Sequence, residues 1–373
     1  MNEKQIRLAI INSLNCWGGG EKWAVDIANE FKSLGHHVII IARKNSPLSK
    51  NAQNNNMITY EFNMNSDIQP FDLIRLSKIL KNEKINLIAA GEERSMFMGC
   101  SIKIFSKQIK HVYMCRGNAI IIRNFKWFLF FIKRANASCI CNSHDLYNFY
   151  VSTHPAIKPF LEKQIVQNYV DIQQFLSIDT NEAKKGIISE LNISKNSLLI
   201  GLVGRLDPCK RYKEFIENSS DILKKNKNVH ILVVGSGPEK DAIINTVDTL
   251  SLNGNVHVLG FRSDIPVIMN ALDILAVASI VESMTYVLIE AAVGNTALIG
   301  FDVTGVNETI INNKTGYLIP QDNWPLFMSN MKKLIDNKKV RNEFSRNAYQ
   351  HVANNFSKEI IFTLFKNMLL EKL

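Results

Sequence analysis

A rhythm of short apolar runs, each followed by a stretch of helical periodicity, occurs twice along this chain and constrains the fold more than any other feature. The first series comprises residues 6–12, 37–41, 85–90, 111–114, 138–141 and 165–167, with helical stretches such as 21–33 and 74–81 between them. The second begins at 198–203 and continues through 230–234, 256–259, 274–277, 297–300 and 317–319. Continuous apolar runs mark strands buried on both faces, and strands that alternate with helices build parallel sheets covered on both sides. A length of 373 residues exceeds one ordinary core and suits two. The expectation is an α/β chain with two Rossmann-like, doubly wound parallel-sheet domains facing across a cleft. The polar, glycine-poor segment 171–197 reads as the linker, and the Asn-rich segment 51–56 as a solvated loop.

Charge is divided unevenly. Residues 1–175 hold 22 Lys and Arg against 13 Asp and Glu, a net of +9, whereas residues 176–373 hold 22 against 21, a net of +1. Between Glu93 and Asp145 there are nine basic residues and no acidic one. Inside that span, AIIIRNFKWFLFFIKR at 119–134 mixes aromatic with basic residues and is too short and interrupted to span a bilayer. Two readings of it stand side by side. It is an amphipathic helix with Phe128, Phe131 and Ile132 in the core, or residues 103–134 form a contact with an anionic membrane surface. Nucleic acid is disfavoured, because no recognition motif accompanies the charge. No run of 18 apolar residues occurs, and the start MNEKQIRLAIINSL carries no signal-peptide cleavage pattern, which places the chain in the cytoplasm or on the inner face of the cytoplasmic membrane.

The six cysteines form no C-x-x-C pair, and none has a His at metal-like spacing, so they read as reduced, mostly buried thiols. Asp-x-Asp is absent as well. Any diphosphate bound here is expected to be neutralised by cationic side chains and backbone N–H groups, with no metal and no cofactor.

Two segments carry chemistry. In VESMTYVLIEAAVGNTALIGFDVTGVNETI the apolar run that ends at Gly294 reads as a buried helix, which puts Glu282 in the loop before its first turn and Glu290 inside it. A helix N-terminus offers unpaired N–H donors and about half a positive charge to an anion, whereas carboxylates accept hydrogen bonds from sugar hydroxyls. In GLVGRLDPCKRYKEF, Arg205 and Lys210 follow an apolar strand, where α/β sheets bind ligands. Gly18, Gly19 and Gly20 lie between a strand and a helix, so they let backbone approach a ligand closely. Glu21 is expected to close the first helical turn.

These segments resemble the retaining GT-B glycosyltransferases of family 4. GGGEKWAVDIANEFKSLGHHVIII is similar to that family's glycine loop and first helix, and QNYVDIQQF to its inter-domain N-G-V-D-x-x-x-F signature. GLVGRLDPCKRYKEF, VVGSGPEKDAI, VLGFRSDIPVIMNALDILAVAS and the Glu282/Glu290 pair follow in the family's order. The resemblance implies an N-terminal acceptor-side domain at 1–172, a nucleotide-sugar domain at 173–357 and a terminal helix at 358–373 that crosses back to the first. Further implied are a donor diphosphate gripped by Arg205 and Lys210, Glu290 on the ribose and Glu282 on the transferred sugar. Ser283, Met284, Thr285, Tyr286 and Val287 present backbone N–H groups, Gly235, Gly237 and Pro238 make room for the nucleotide, and Phe261 and Arg262 line the base pocket. Thr285 departs from the usual Gly or Pro, Asn295 and Thr296 from Gly-x-Pro, and Tyr169 from the Gly of N-G-V-D. Arg116 stands where many members carry a His near the sugar, and is read as holding an anionic acceptor or a donor phosphate, or else as a structural ion pair.

The implied activity is hexose transfer with retention from a nucleotide diphosphate sugar, with uridine favoured, to a cell-surface glycan or glycolipid such as lipopolysaccharide core or a polyprenyl-linked saccharide. A nucleotide-sugar epimerase of the same fold and a non-catalytic sugar-nucleotide-binding subunit are the alternatives. Partners are thus a nucleotide sugar, a saccharide or glycolipid acceptor and an anionic membrane surface.

Overall fold

The computed structural model describes residues 5–64, 70–115 and 125–373. The chain forms two compact units, one of residues 1–167 with 361–373 and the other of residues 168–360.

The first unit alternates strand and helix: β1 (Arg7–Asn12), α1 (Gly19–Ser33), β2 (His37–Arg43), α2 (Pro47–Asn54), β3 (Ile58–Phe62), α3 (Pro70–Asn82), β4 (Leu87–Ala90), α4 (Glu93–Phe105), β5 (His111–Cys115), α5 (Phe125–Ala135), β6 (Ser138–Ile140) and α6 (His144–Thr153). All strand pairs are parallel, in the order β3-β2-β1-β4-β5-β6. Central strands β1 and β4 are almost wholly apolar because helices cover both faces. Where the order reverses, between β1 and β4, the strand ends open a crevice. There the Ser13 N–H donates to Glu92 Oε1 at 3.2 Å, while the Glu92 carboxylate caps α4 by accepting from the Arg94 and Ser95 N–H groups.

The second unit contains α7 (Ile172–Leu176), α8 (Thr180–Glu190), β7 (Leu198–Val203), α9 (Tyr212–Lys225), β8 (Val229–Val234), α10 (Lys240–Thr249), β9 (Val256–Gly260), α11 (Ile265–Ala271), β10 (Ile274–Val277), α12 (Tyr286–Val293), β11 (Ala297–Asp302), β12 (Gly316–Pro320), α13 (Trp324–Asp336) and α14 (Lys338–Asn355). Its parallel sheet runs β12-β11-β10-β7-β8-β9, so the order reverses between β7 and β10. The last helix, α15 (Lys358–Glu371), packs its 361–373 portion into the first unit. Phe362 and Phe365 lie 4.8 and 6.2 Å from Phe31 between ring centroids, and the Tyr113 hydroxyl donates to the Met368 carbonyl at 3.1 Å.

Four expectations are corrected. Residues 165–167 are not a strand: the Val166 N–H donates to the Cys141 carbonyl at 3.0 Å, but Cys141 lies past the end of β6, where the ladder has stopped. The sixth strand is instead β3, an edge strand whose residues are mostly half-buried, with Ile58 exposed at one end and only Phe62 fully buried at the other. The Asn-rich segment is largely helical, because Ser46 caps α2 by accepting from the Ser49 N–H at 3.2 Å and Pro47 pre-sets its first turn. The segment taken as linker folds into the second unit as α7 and α8, with Ala183, Ile187 and Ile188 buried and the Lys184 ammonium 2.6 Å from Asp273.

Candidate functional site

The site assembles at the reversal point of the second sheet, from the loops that leave β7 and β10. Gly204 and Gly235 start the loops after β7 and β8 with φ of +146° and +144°, in a region that side chains rarely enter. A Cβ on Gly235 would stand 1.8 Å from the Gly204 carbonyl oxygen. The two backbones therefore touch, and the Leu206 N–H donates to the Ser236 carbonyl at 2.9 Å. This contact aims the 205–210 loop. Arg205 is half exposed and pairs with Asp207, and Lys210 ends a short 3₁₀ turn, Pro208–Lys210, and pairs with Glu282.

The loop carrying Glu282 is held from four directions. The Ile280 N–H donates to the Cys209 carbonyl at 2.9 Å, and Gln321 Nε2 donates to the Ile280 carbonyl at 3.2 Å. Asn168 Nδ2 donates to the Met284 carbonyl at 2.6 Å, and the Ser279 hydroxyl donates to Glu282 Oε1 at 2.5 Å. Gly305 completes the seat, since a Cβ there would lie 2.1 Å from the Ser283 carbonyl oxygen. Ser283 and Met284 belong to this fixed loop, Thr285 is the N-cap of α12, and Tyr286 and Val287 open the helix.

The start of α12 has no side-chain cap hydrogen bond and no acidic residue in its first turn, and such a helix end favours an anion. The Thr285 hydroxyl is buried and has no hydrogen-bond partner among the described residues. A buried hydroxyl of this kind costs free energy unless something satisfies it. Glu290 is buried within α12, behind the loop. Each cation at the site shares a carboxylate, so an arriving diphosphate competes with Asp207 and Glu282 for Arg205 and Lys210. Burial pushes the Cys209 thiol up, and burial with the nearby Glu282 charge does the same to the Tyr212 phenol. Both shifts favour the protonated form of the group.

Phe261 stands exposed just beyond β9, on the β8 side of the reversal point. Arg262 differs from a free pocket-lining cation. Its guanidinium forks onto Asp264 at 2.8 and 2.7 Å and reaches Glu190 at 2.6 Å, and these carboxylates raise its pKa further. Arg116 lies outside the described residues.

Gly18 is the N-cap of α1, which also lacks a side-chain cap, and Gly19 and Gly20 begin the helix. A Cβ on Gly20 would meet nothing within 4 Å, so packing does not require a glycine there. Glu21 does not close the helical turn. It is buried, and its Oε1 accepts from Asn12 Nδ2 at 2.9 Å, tying the end of β1 to α1.

Sequence reasoning overlooked Asn168, Ser279, Asp207 and Gly305. Each lies inside or beside a motif quoted above; Asn168 is 116 residues from Met284 and Gly305 is 22 from Ser283, whereas Asp207 and Ser279 act on Arg205 and Glu282, two and three residues away. Among the described residues, no group of three or more His, Cys, Asp and Glu could hold a metal ion, and no helix is long and apolar enough to cross a membrane.

Comparison with known proteins agrees with this geometry. Residues 184–351 match the family model described as glycosyl transferases group 1, and residues 17–173 match glycosyltransferase family 4. The capsular polysaccharide biosynthesis glycosyltransferase CapM of Staphylococcus aureus is 25% identical over 85% of this chain and 86% of that protein. The UDP-Gal:alpha-D-GlcNAc-diphosphoundecaprenol alpha-1,3-galactosyltransferase of Escherichia coli is 25% identical over 76% of this chain and 75% of its own length. Anabaena HepE, solved in complex with UDP and glucose, superposes with a TM-score of 0.84 at 17% identity, over 98% of this chain and 99% of that one.

Proposed function

Because the chain belongs to the GT-B glycosyltransferases of group 1 and family 4, we propose that it moves a hexose, with retention at the anomeric carbon, from a UDP-sugar to an envelope glycan or glycolipid. The observation that carries the donor site is the Lys210–Glu282 pair beside the uncapped start of α12, with the unsatisfied Thr285 hydroxyl at the same helix end. In this reading the donor diphosphate takes the α12 N–H groups together with Lys210 and Arg205. Glu282, released from Lys210, accepts from hydroxyls of the sugar, and Glu290 from the ribose. Arg205 and Lys210 then stabilise charge that grows on the departing diphosphate. Burial favours the protonated forms of Cys209 and Tyr212, in keeping with a same-face displacement in which the leaving phosphate oxygen takes the acceptor proton. The cations supply the counter-charge, so the reaction needs no metal.

On the first unit, α1 begins at Gly18–Gly20 without a side-chain cap, and in this reading that helix end faces a further part of the substrates. Helix α5 has one face for each reading of the aromatic segment. Phe128 and Ile132 are buried in the core, whereas Trp127 and Phe130 are 63% and 54% exposed beside Lys126, Lys133 and Arg134. That exposed face suits an anionic membrane surface.

A thermal-shift screen of UDP-, GDP- and ADP-sugars, with and without EDTA, tests the donor assignment. At 100 times its dissociation constant the right donor adds about 2.7 kcal/mol of stability. The UDP series is expected to raise Tm in either buffer. A rise that disappears in EDTA and returns with magnesium sinks metal independence, and no rise with any nucleotide sugar sinks the donor site.

A further inference from the structure

The first unit carries a polar cavity of about 230 Å³, lined by Asn15, Arg43, Lys44, Asn45 and Asn63. It lies at the C-terminal ends of β1, β2 and β3, the end at which α/β sheets bind ligands, and Asn15 stands three residues before Gly18 in the β1–α1 loop. Its charge is one-sided. The Arg43 side chain has no hydrogen bond or carboxylate partner among the described residues. The nearest acid, Glu61, is already engaged: its Oε1 accepts from the Ser49 hydroxyl at 2.7 Å and from the Asn45 N–H at 3.0 Å, and Lys44 acts on it through charge alone. Three asparagine side chains add amide donors around these two cations.

We propose that this cavity is an anion subsite for a phosphate group of the acceptor. Its lining comes from three neighbouring strand ends: Asn15 after β1, Arg43 at the end of β2 with Lys44 and Asn45 after it, and Asn63 after β3. A phosphate has three peripheral oxygens to match three directions of approach, whereas a carboxylate has two. The volume lies below the roughly 300–1,000 Å³ of pockets that enclose drug-sized ligands, so it fits one headgroup and not a whole saccharide. The subsite rests on the reading that the first unit handles the acceptor, and Arg43 and Lys44 are two of the 22 basic residues in that half of the chain.

The test titrates glycerol 3-phosphate, with acetate and glycerol as comparators at constant ionic strength, into the full chain by calorimetry. The samples are wild type, Arg43→Gln/Lys44→Gln, and Lys78→Gln/Lys81→Gln, which removes equal charge from the exposed side of α3. Glycerol 3-phosphate is expected to bind wild type and the Lys78/Lys81 variant alike, and the Arg43/Lys44 variant about tenfold or more weakly. Acetate and glycerol are expected to bind none of the three measurably. Equal losses in both variants, no loss in the Arg43/Lys44 variant, or no binding to wild type overturns the proposal. UDP titrated into the same samples separates the two readings, because Arg43 and Lys44 belong to the first unit. If UDP fails to bind while glycerol 3-phosphate behaves as expected, the donor site falls and the anion subsite stands.

Discussion

Lys210→Met separates chemistry from folding at the donor site. The methionine keeps most of the stem and removes the ammonium, which leaves Glu282 with the Ser279 hydroxyl as its remaining polar neighbour in the pair. The Lys210 and Glu282 side chains are 19% and 11% exposed, between a surface pair worth about 0–1 kcal/mol and a fully buried one whose rupture costs about 3–5. The stability loss is therefore about 1–3 kcal/mol, or about 2–12 °C in the Tm of a unit this size. Turnover falls by a different route. A charge-assisted contact to the departing diphosphate contributes about 1.5–3 kcal/mol, so its loss lowers kcat by about ten- to a hundredfold. Adding Glu282→Gln removes the stranded carboxylate, and the double variant is expected to recover part of the Tm and none of the turnover. Scanning calorimetry and initial rates with a UDP-sugar give both numbers from one preparation. Wild-type turnover in Lys210→Met, or turnover that recovers together with Tm in the double variant, refutes the assignment of Lys210 to the diphosphate.

Gly235→Ala is expected to lower stability by about 1–3 kcal/mol from backbone strain, with a further loss from the overlap at Gly204, and to abolish nucleotide binding. A variant with native Tm and UDP affinity contradicts the account of the β7–β8 loops. Glu83, which accepts from the Tyr60 hydroxyl at 2.6 Å and lies 2.8 Å from His37 Nε2, is held below the usual carboxylate range by the Tyr60 hydrogen bond first and His37 next. Its folded pKa is the lower one, so its stabilisation is present above about pH 4.3 and lost as pH falls through the folded value. The Tm gap between wild type and Glu83→Gln should therefore narrow below about pH 4, and a gap independent of pH rejects the assignment. Binding to anionic vesicles is expected to weaken with salt and to be lost in a Trp127→Ser/Phe130→Ser/Lys126→Glu/Lys133→Glu variant that still binds UDP. Equal binding to neutral and anionic vesicles rejects the membrane contact.

The central strands were legible because nothing competes with their signal. β7 and β10 occur at the residues expected, since strands covered on both faces must be apolar without a break. The edge strand β3 is half-buried, so its sequence carries a weaker pattern, and the Asn run of α2 hid the Ser46–Pro47 start signal that caps it. At the candidate site the charged groups showed in the sequence, whereas the groups that hold them did not. Asn168 and Gly305 act on the Glu282 loop through contacts that exist only once the second unit has folded, and Ser279 through a local side-chain bond that no apolar pattern marks. The same limit applies to Arg262. A sequence shows a cation, but not that Asp264 and Glu190 already occupy it.

The most direct test of the central claim is a crystal structure of the full chain with UDP. The account places the diphosphate at the start of α12, on the Ser283–Val287 backbone N–H groups, within hydrogen-bond reach of Lys210 and Arg205, with the ribose on Glu290 and the Lys210–Glu282 contact broken or shared. A UDP bound away from α12, or bound there with Lys210 still paired to Glu282 and making no contact with the phosphates, contradicts it.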